Sequence, residues 1–124
     1  MIYGVLDPEQ RTFTFANAGH PWPVISKGTC TSLLETESGL PLGIAETAFS
    51  ESTVTLSDGG KVLLYSDGIS EALDHQQHEY GTTRLEGLLQ NAEISTGKIL
   101  DDVRRFSSGQ PAFDDATVVL ISSR

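Results

Sequence analysis

The chain has 124 residues, 12 of them glycine, and its 17 acidic against 8 basic side chains leave a net charge of −9 at pH 7. That length suits one domain rather than two separate cores, and a hydrophobic share of 38% excludes disorder throughout. The negative charge repels phosphate backbones and anionic lipid, which excludes nucleic acid and membrane surfaces as general partners. The single Cys30 excludes an internal disulfide and a multi-cysteine zinc site. No apolar run reaches the ~20 residues that cross a bilayer. The opening Met1-Ile2-Tyr3-Gly4 lacks the basic stretch of a signal peptide, so the expected compartment is the cytoplasm.

Residues 2–6 are apolar and β-prone, and Asp7-Pro8-Glu9-Gln10 is turn chemistry. Residues 12–16 alternate polar and apolar, which predicts the second strand of a hairpin. Two prolines and a glycine break any ladder across 17–23. A short strand follows over 24–26, ended by Lys27-Gly28, and residues 29–34 are placed to pair back across that turn. Residues 39–44 are apolar yet punctuated by Gly and Pro, which reads as a packed loop. Alternation returns over 52–56, with Val54 and Leu56 on one face, and Ser57-Asp58-Gly59-Gly60 is a turn. Residues 61–66 form a continuous apolar run after Lys61, the pattern of a strand buried on both faces.

Asp67-Gly68 closes that strand, a short helix is expected over 69–73, and 75–80 reads as polar loop. Leu85, Leu88 and Leu89 have helical spacing, as do Ile99, Leu100, Val103 and Phe106. Helices are therefore predicted near 82–90 and 95–107, the second capped by Ser95 or Thr96. Residues 117–121 close the chain as a strand. Strands early and helices late argue an α+β fold. An antiparallel sheet is expected to carry 2–6, 12–16, 61–66 and 117–121, with both helices on one face.

Two acidic spots stand out by position. Asp67 follows the most buried strand, and Asp114-Asp115 immediately precede the last one. Carboxylates at the ends of neighbouring central strands converge on one point, the oxygen-rich arrangement that Mg²⁺ and Mn²⁺ prefer. Each aspartate also has a structural reading: Ser66 or Asp67 caps the short helix, and Asp114 and Asp115 turn the chain into its strand. Taken singly each favours the structural reading, and the pair together sets the metal reading level with it. His20 reads as a loop histidine bonded to backbone near Pro21. His75 and His78 lack a third ligand nearby. Trp22, between prolines, reads as a core plug, and Arg104-Arg105 favour a helix C-terminus and solvent. Cys30 has no phosphate-cradling loop around it and is not a nucleophile.

Six stretches in order then carry a resemblance. They are Tyr3-Gly4-Val5-Leu6-Asp7, Phe15-Ala16-Asn17-Ala18-Gly19-His20-Pro21 and Gly39-Leu40-Pro41-Leu42-Gly43. They continue with Leu63-Leu64-Tyr65-Ser66-Asp67-Gly68-Ile69-Ser70-Glu71-Ala72, Gly81 with Arg84-Leu85, and Phe113-Asp114-Asp115-Ala116-Thr117-Val118-Val119. The chain resembles the C-terminal part of a PPM-type metal-dependent protein phosphatase of the SpoIIE/RsbU branch, with residues 1–124 as an incomplete domain. The resemblance implies an antiparallel β-sandwich flanked by helices and a pair of Mn²⁺ or Mg²⁺ ions in the complete domain. It also implies metal-assisted hydrolysis of phosphoserine or phosphothreonine. Asp67 matches the metal ligand of the Asp-Gly motif and Asp114 that of the closing Asp-Asp motif. Gly68 is the small residue beside the metal, and Asp115 and Glu71 are metal-adjacent. No catalytic residue beyond the metal ligands is implied. His20 stands where type 2C relatives place an aspartate that binds a third metal.

The family's opening Gly-Asp and Gly-Asp-x-x-Gly-x-Gly motifs, which bring the aspartate that bridges both metals, do not occur here. Asp58-Gly59-Gly60 and Ser108-Gly109 sit in later turns. The chain is therefore expected to be inactive alone, and to self-associate or pair with the missing N-terminal portion. The partner implied is a phosphoprotein, an anti-anti-sigma regulator of the STAS type in a bacterial stress or sporulation switch. The alternative is a phosphatase-like interaction module without catalysis.

Overall fold

Two largely antiparallel sheets lie face to face, and helices cover the outer face of the second. The computed structural model describes residues 1–44, 46, 48–108, 110 and 115–123. In chain order the elements are β1 (Ile2–Asp7), β2 (Thr12–Ala18), β3 (Val24–Lys27), β4 (Cys30–Leu33), β5 (Ser38–Gly39), β6 (Glu51–Thr55) and β7 (Lys61–Tyr65). Then come α1 (Asp67–Ser70), α2 (Thr82–Leu89), α3 (Thr96–Phe106) and β8 (Val118–Ser122). In the first sheet β1 pairs with one edge of β2, while β6 and the two-residue β5 share its other edge. The second sheet runs β4-β3-β7-β8.

The local chemistry explains the elements. Asp7 closes the β1–β2 turn by accepting hydrogen bonds from the backbone N–H groups of Glu9 and Gln10, both at 3.0 Å. Alternation along β2 turns Phe13 and Phe15 inward, their rings stacked at 5.1 Å. With Ile25, Val54, Leu56 and Val62 they fill the space between the sheets. Successive residues of a strand face opposite ways, so Val24, Leu63 and Tyr65 point to the other side. There they meet Ile69, Leu85, Leu89, Ile99 and Val103 in a second core under the helices. Ser95 caps α3, its hydroxyl accepting from the Lys98 N–H at 3.3 Å.

Five expectations need correction. The ladder of β2 continues through Asn17 and Ala18, inside the 17–23 stretch expected to be irregular, because the breaking residues begin only at Gly19. The strands expected in one sheet divide between two, β1 and β2 in the first and β7 and β8 in the second; the sandwich implied by the resemblance is the arrangement found. The short helix begins at Asp67 rather than 69, because the chain turns as soon as β7 ends. Residues 40–44 are not a packed loop: Leu40, Leu42 and Ile44 are exposed. Trp22 is not a core plug, since its ring lies against solvent while its indole N–H donates to the Thr36 carbonyl at 3.1 Å.

β7 is buried on both faces, as its apolar run predicts. Leu63→Ala is expected to cost about 2–5 kcal/mol, because the helix-side core cannot collapse onto the lost volume. Val119→Ala, on the neighbouring strand but 48% exposed, should stay within about 0.5 kcal/mol. Urea denaturation of both variants checks the contrast.

Candidate metal centre

β7 delivers the chain to its acidic turn. Ser66 stays extended (φ −87°, ψ 164°), and Asp67 opens the four-residue α1. The Asp67 side chain is exposed and makes no hydrogen bond or ion pair among the described residues. Its charge is nevertheless felt inside. Burial, then the carboxylates of Asp67 and Glu86, push the Tyr65 phenol up to about 12.

Ser66 joins this turn to the segment entering β8. Its backbone N–H donates to the Thr117 carbonyl at 3.0 Å. Its hydroxyl donates to the Asp115 carbonyl and accepts from the Thr117 N–H, each at 2.9 Å. The ends of β7 and β8 that carry Asp67 and Asp115 are thus held side by side across 49 residues of sequence. Gly68 is half-buried, Glu71 ends α1 exposed, and Asp115 is exposed. Asp114 lies outside the described residues, and with it the expected proximity of the Asp67 and Asp114 carboxylates.

Behind α1 the chain is pinned by Tyr80 and Gly81. Their N–H groups donate to the carbonyls of Ala72 at 2.7 Å and Ser70 at 2.9 Å. The buried Tyr80 ring packs edge-on against Phe106 at 5.3 Å, and its hydroxyl donates to Asp102 on α3 at 2.5 Å. Arg84 lies over Phe106 at 4.6 Å and Tyr80 at 5.7 Å, so the loop after the acidic turn is fastened to both helices.

Other candidates resolve into structural roles. The His20 ring nitrogen meets the Pro21 carbonyl at 3.0 Å, and the Asn17 side chain brackets His20 through its N–H and C=O. His75 faces Gln110 at 2.9 Å, whereas His78 pairs with Asp74 at 3.4 Å, so the two do not share a ligand position. Asp74 also accepts from the N–H groups of His78 and Gln76, and these, the His78 N–H foremost, hold its carboxyl below the usual range. Arg104 and Arg105 pair in solvent with Asp101 and Asp102. Cys30 is free and exposed. Among the described residues no three His, Cys, Asp or Glu side chains gather as a metal cluster. What the rim offers is oxygen alone, with Asp67 unpaired beside the Asp115 segment. That donor set fits a hard cation in kind.

Solved structures of other proteins share this architecture. The phosphatase domain of SpoIIE from Bacillus subtilis, in a form presoaked with manganese, is similar with a TM-score of 0.76 and 20% identity, covering 99% of this chain and 56% of that one. A Mycobacterium tuberculosis structure of RsbU and RsbW domains matches at 0.77 and 23%, covering 98% and 36%. The SiaA PP2C domain of Pseudomonas aeruginosa matches at 0.72 and 19%, covering 93% and 48%. This chain therefore spans about half the length, or less, of the structures it matches. No curated sequence matches it significantly. The fold is that of PP2C-type phosphatase domains. Within that class the profile of the Stage II sporulation protein E (SpoIIE) family matches residues 1–124, and the chain belongs to that family. Among the described residues, no helix is long and apolar enough to cross a membrane.

Burial first, then the Asp102 carboxylate that accepts its hydrogen bond, pushes the Tyr80 phenol well above its ordinary value. The unfolded chain releases this proton near pH ~10, and the folded chain only at higher pH. Tyr80 thus contributes stability that is complete below pH ~10 and is lost as pH rises beyond it. Tyr80→Phe should show a shallower alkaline loss in urea melts from pH 8 to 11. It should also lose about 0.5–2 kcal/mol at neutral pH, where Asp102 forfeits a donor.

Proposed function

We propose that residues 1–124 are the C-terminal portion of a metal-dependent protein serine/threonine phosphatase domain. In this reading its substrate is a phosphorylated regulator of the STAS type, in a cytoplasmic sigma-factor switch. The observation that carries the reading is the joining of the Asp67 and Asp115 strand ends at Ser66, within a chain that matches the SpoIIE family along its length.

Asp67 and Asp114 are the proposed ligands, with Gly68, Asp115 and Glu71 beside them. Mn²⁺ or Mg²⁺ bound there supplies an activated water and polarises the phosphoryl oxygens. Asp67 meets this task as a solvent-facing carboxylate at the fixed end of β7. Gly68, with no side chain, leaves room next to it. The described residues offer too few ligands to neutralise two ions that repel at close range, so a bridging carboxylate must come from elsewhere in a complete domain.

The exposed apolar side chains support pairing with such a complement, or with a second copy. Met1, Tyr3, Val5 and Leu6 are all exposed along or beside β1, which pairs with β2 alone among the described residues. An unpaired edge of this kind is a template for another strand.

Phosphate release from a phosphoserine-bearing STAS protein in Mn²⁺ tests the reading. The 124-residue chain alone should show at most a trace rate. Mixed with a polypeptide carrying the upstream half of a SpoIIE-type domain, it should turn over, and Asp67→Asn should cut that rate by about 100-fold or more. Full activity of the isolated chain, or an active Asp67→Asn mixture, would refute the proposed site. In sedimentation the chain alone should run larger than a monomer, and the complement should convert it to a one-to-one complex.

A further inference from the structure

Ser66 occupies the N-cap position of α1, yet its side chain makes no capping bond to the helix. Its groups are divided otherwise. The antiparallel register of β7 and β8 pairs Tyr65 with Val118, so the next pair along is residues 66 and 117. One bond of that pair is made by backbone, from the Ser66 N–H to the Thr117 carbonyl at 3.0 Å. The reciprocal bond would need the Ser66 carbonyl, which instead accepts from the Ile69 N–H at 3.0 Å to start the helical turn. The hydroxyl takes its place: it accepts the Thr117 N–H and donates to the Asp115 carbonyl, both at 2.9 Å. One side chain thus lets β7 turn into α1 while the β7–β8 register continues one residue beyond β8, to Thr117.

We infer that Ser66 is a positioning residue of the metal centre: its hydroxyl sets where the backbone at Asp115 and Thr117 lies relative to Asp67. The inference rests on the metal site proposed above. Both hydroxyl bonds go to backbone on the β8 side and none to the Asp67 side chain, so Ser66 itself is not a ligand. A backbone fixed at two points, Asp115 and Thr117, leaves the adjoining side chains little freedom to drift. Groups that orient ligands in this way typically contribute 10–100-fold to metal affinity. Alanine removes both bonds. Threonine keeps the hydroxyl, and its β-branch suits the extended backbone at this position. Valine copies the shape of threonine without the hydroxyl.

Mn²⁺ titration of the 124-residue chain, followed by paramagnetic broadening of backbone amide signals, separates the two claims. In the wild type, amides of 67–70 and of 115–118 should broaden together at one Mn²⁺ concentration. In Ser66→Ala and Ser66→Val the 67–70 signals should broaden first, and those of 115–118 only at about tenfold more Mn²⁺. Ser66→Thr should follow the wild type within about twofold. Broadening of both segments together in Ser66→Ala, with loss of it in Asp67→Asn, would overturn the role of Ser66 and leave the metal site standing. Identical broadening in wild type and Asp67→Asn, or none in the wild type, would overturn both. Should the alanine and valine variants fail to fold, amide exchange in the wild type decides: Mn²⁺ must slow exchange at Thr117, and an unchanged rate overturns the inference.

Discussion

The structure depends on β7 having no solvent face. Val62 points into the core between the sheets, and Leu63 and Tyr65 point into the core beneath the helices. The four apolar residues of the strand therefore divide between two hydrophobic clusters, Val62 and Leu64 facing one and Leu63 and Tyr65 the other, and neither cluster can repack without moving the other. Even the charged residue of the strand is enclosed. Lys61 is buried, with its Nζ 3.5 Å from the Leu89 carbonyl and 3.3 Å from that of Asn91. These carbonyls close the C-terminal end of α2, where a cation is favoured, so the lysine ties the helix to the strand. Because β7 is held from both sides, the point at which it ends is fixed, and the residue that follows Ser66 inherits that fixity.

Much of this architecture was legible in the sequence, for a physical reason. Period-two alternation at Phe13 and Phe15, and at Val54 and Leu56, reports a strand with one wet face. The helical spacing of Leu85, Leu89, Ile99 and Val103 reports helices with one dry face. Alternation says which face is buried but not which strand lies alongside, so it points to one sheet for four strands that divide between two. Apolar content misled where glycine and proline interrupt it. Trp22 and the 40–44 segment are hydrophobic, yet loops that cannot pair their backbone remain at the surface. At the proposed site, the place of Asp67 just beyond a buried strand could be read from the apolar run before it. The part played by Ser66 could not, because its partners lie 49 and 51 residues away and a serine before a helix suggests a cap.

The acidity of the chain is weaker support for a metal centre than it first looks. Asp67 is exposed and lacks an ion pair among the described residues, but water solvates such a carboxylate at little cost. Its position at the start of a helix is also one where negative charge is mildly favoured, though a helix of four residues lends little. An unpaired surface aspartate thus needs no cation to account for it. The geometry carries more weight than the charge. Ordinary strand ends splay into loops, whereas these two are stitched together beyond the last regular ladder pair by a side chain that forgoes capping its own helix. That arrangement holds the two acidic segments side by side, which two unrelated turns would not require. The same stitch links the helix-side core, through β7 and α1, to a β8 segment that has few buried side chains of its own. Position at this rim is therefore imposed by the buried strand and transmitted by Ser66, and the carboxylates supply the chemistry at places the fold has already set.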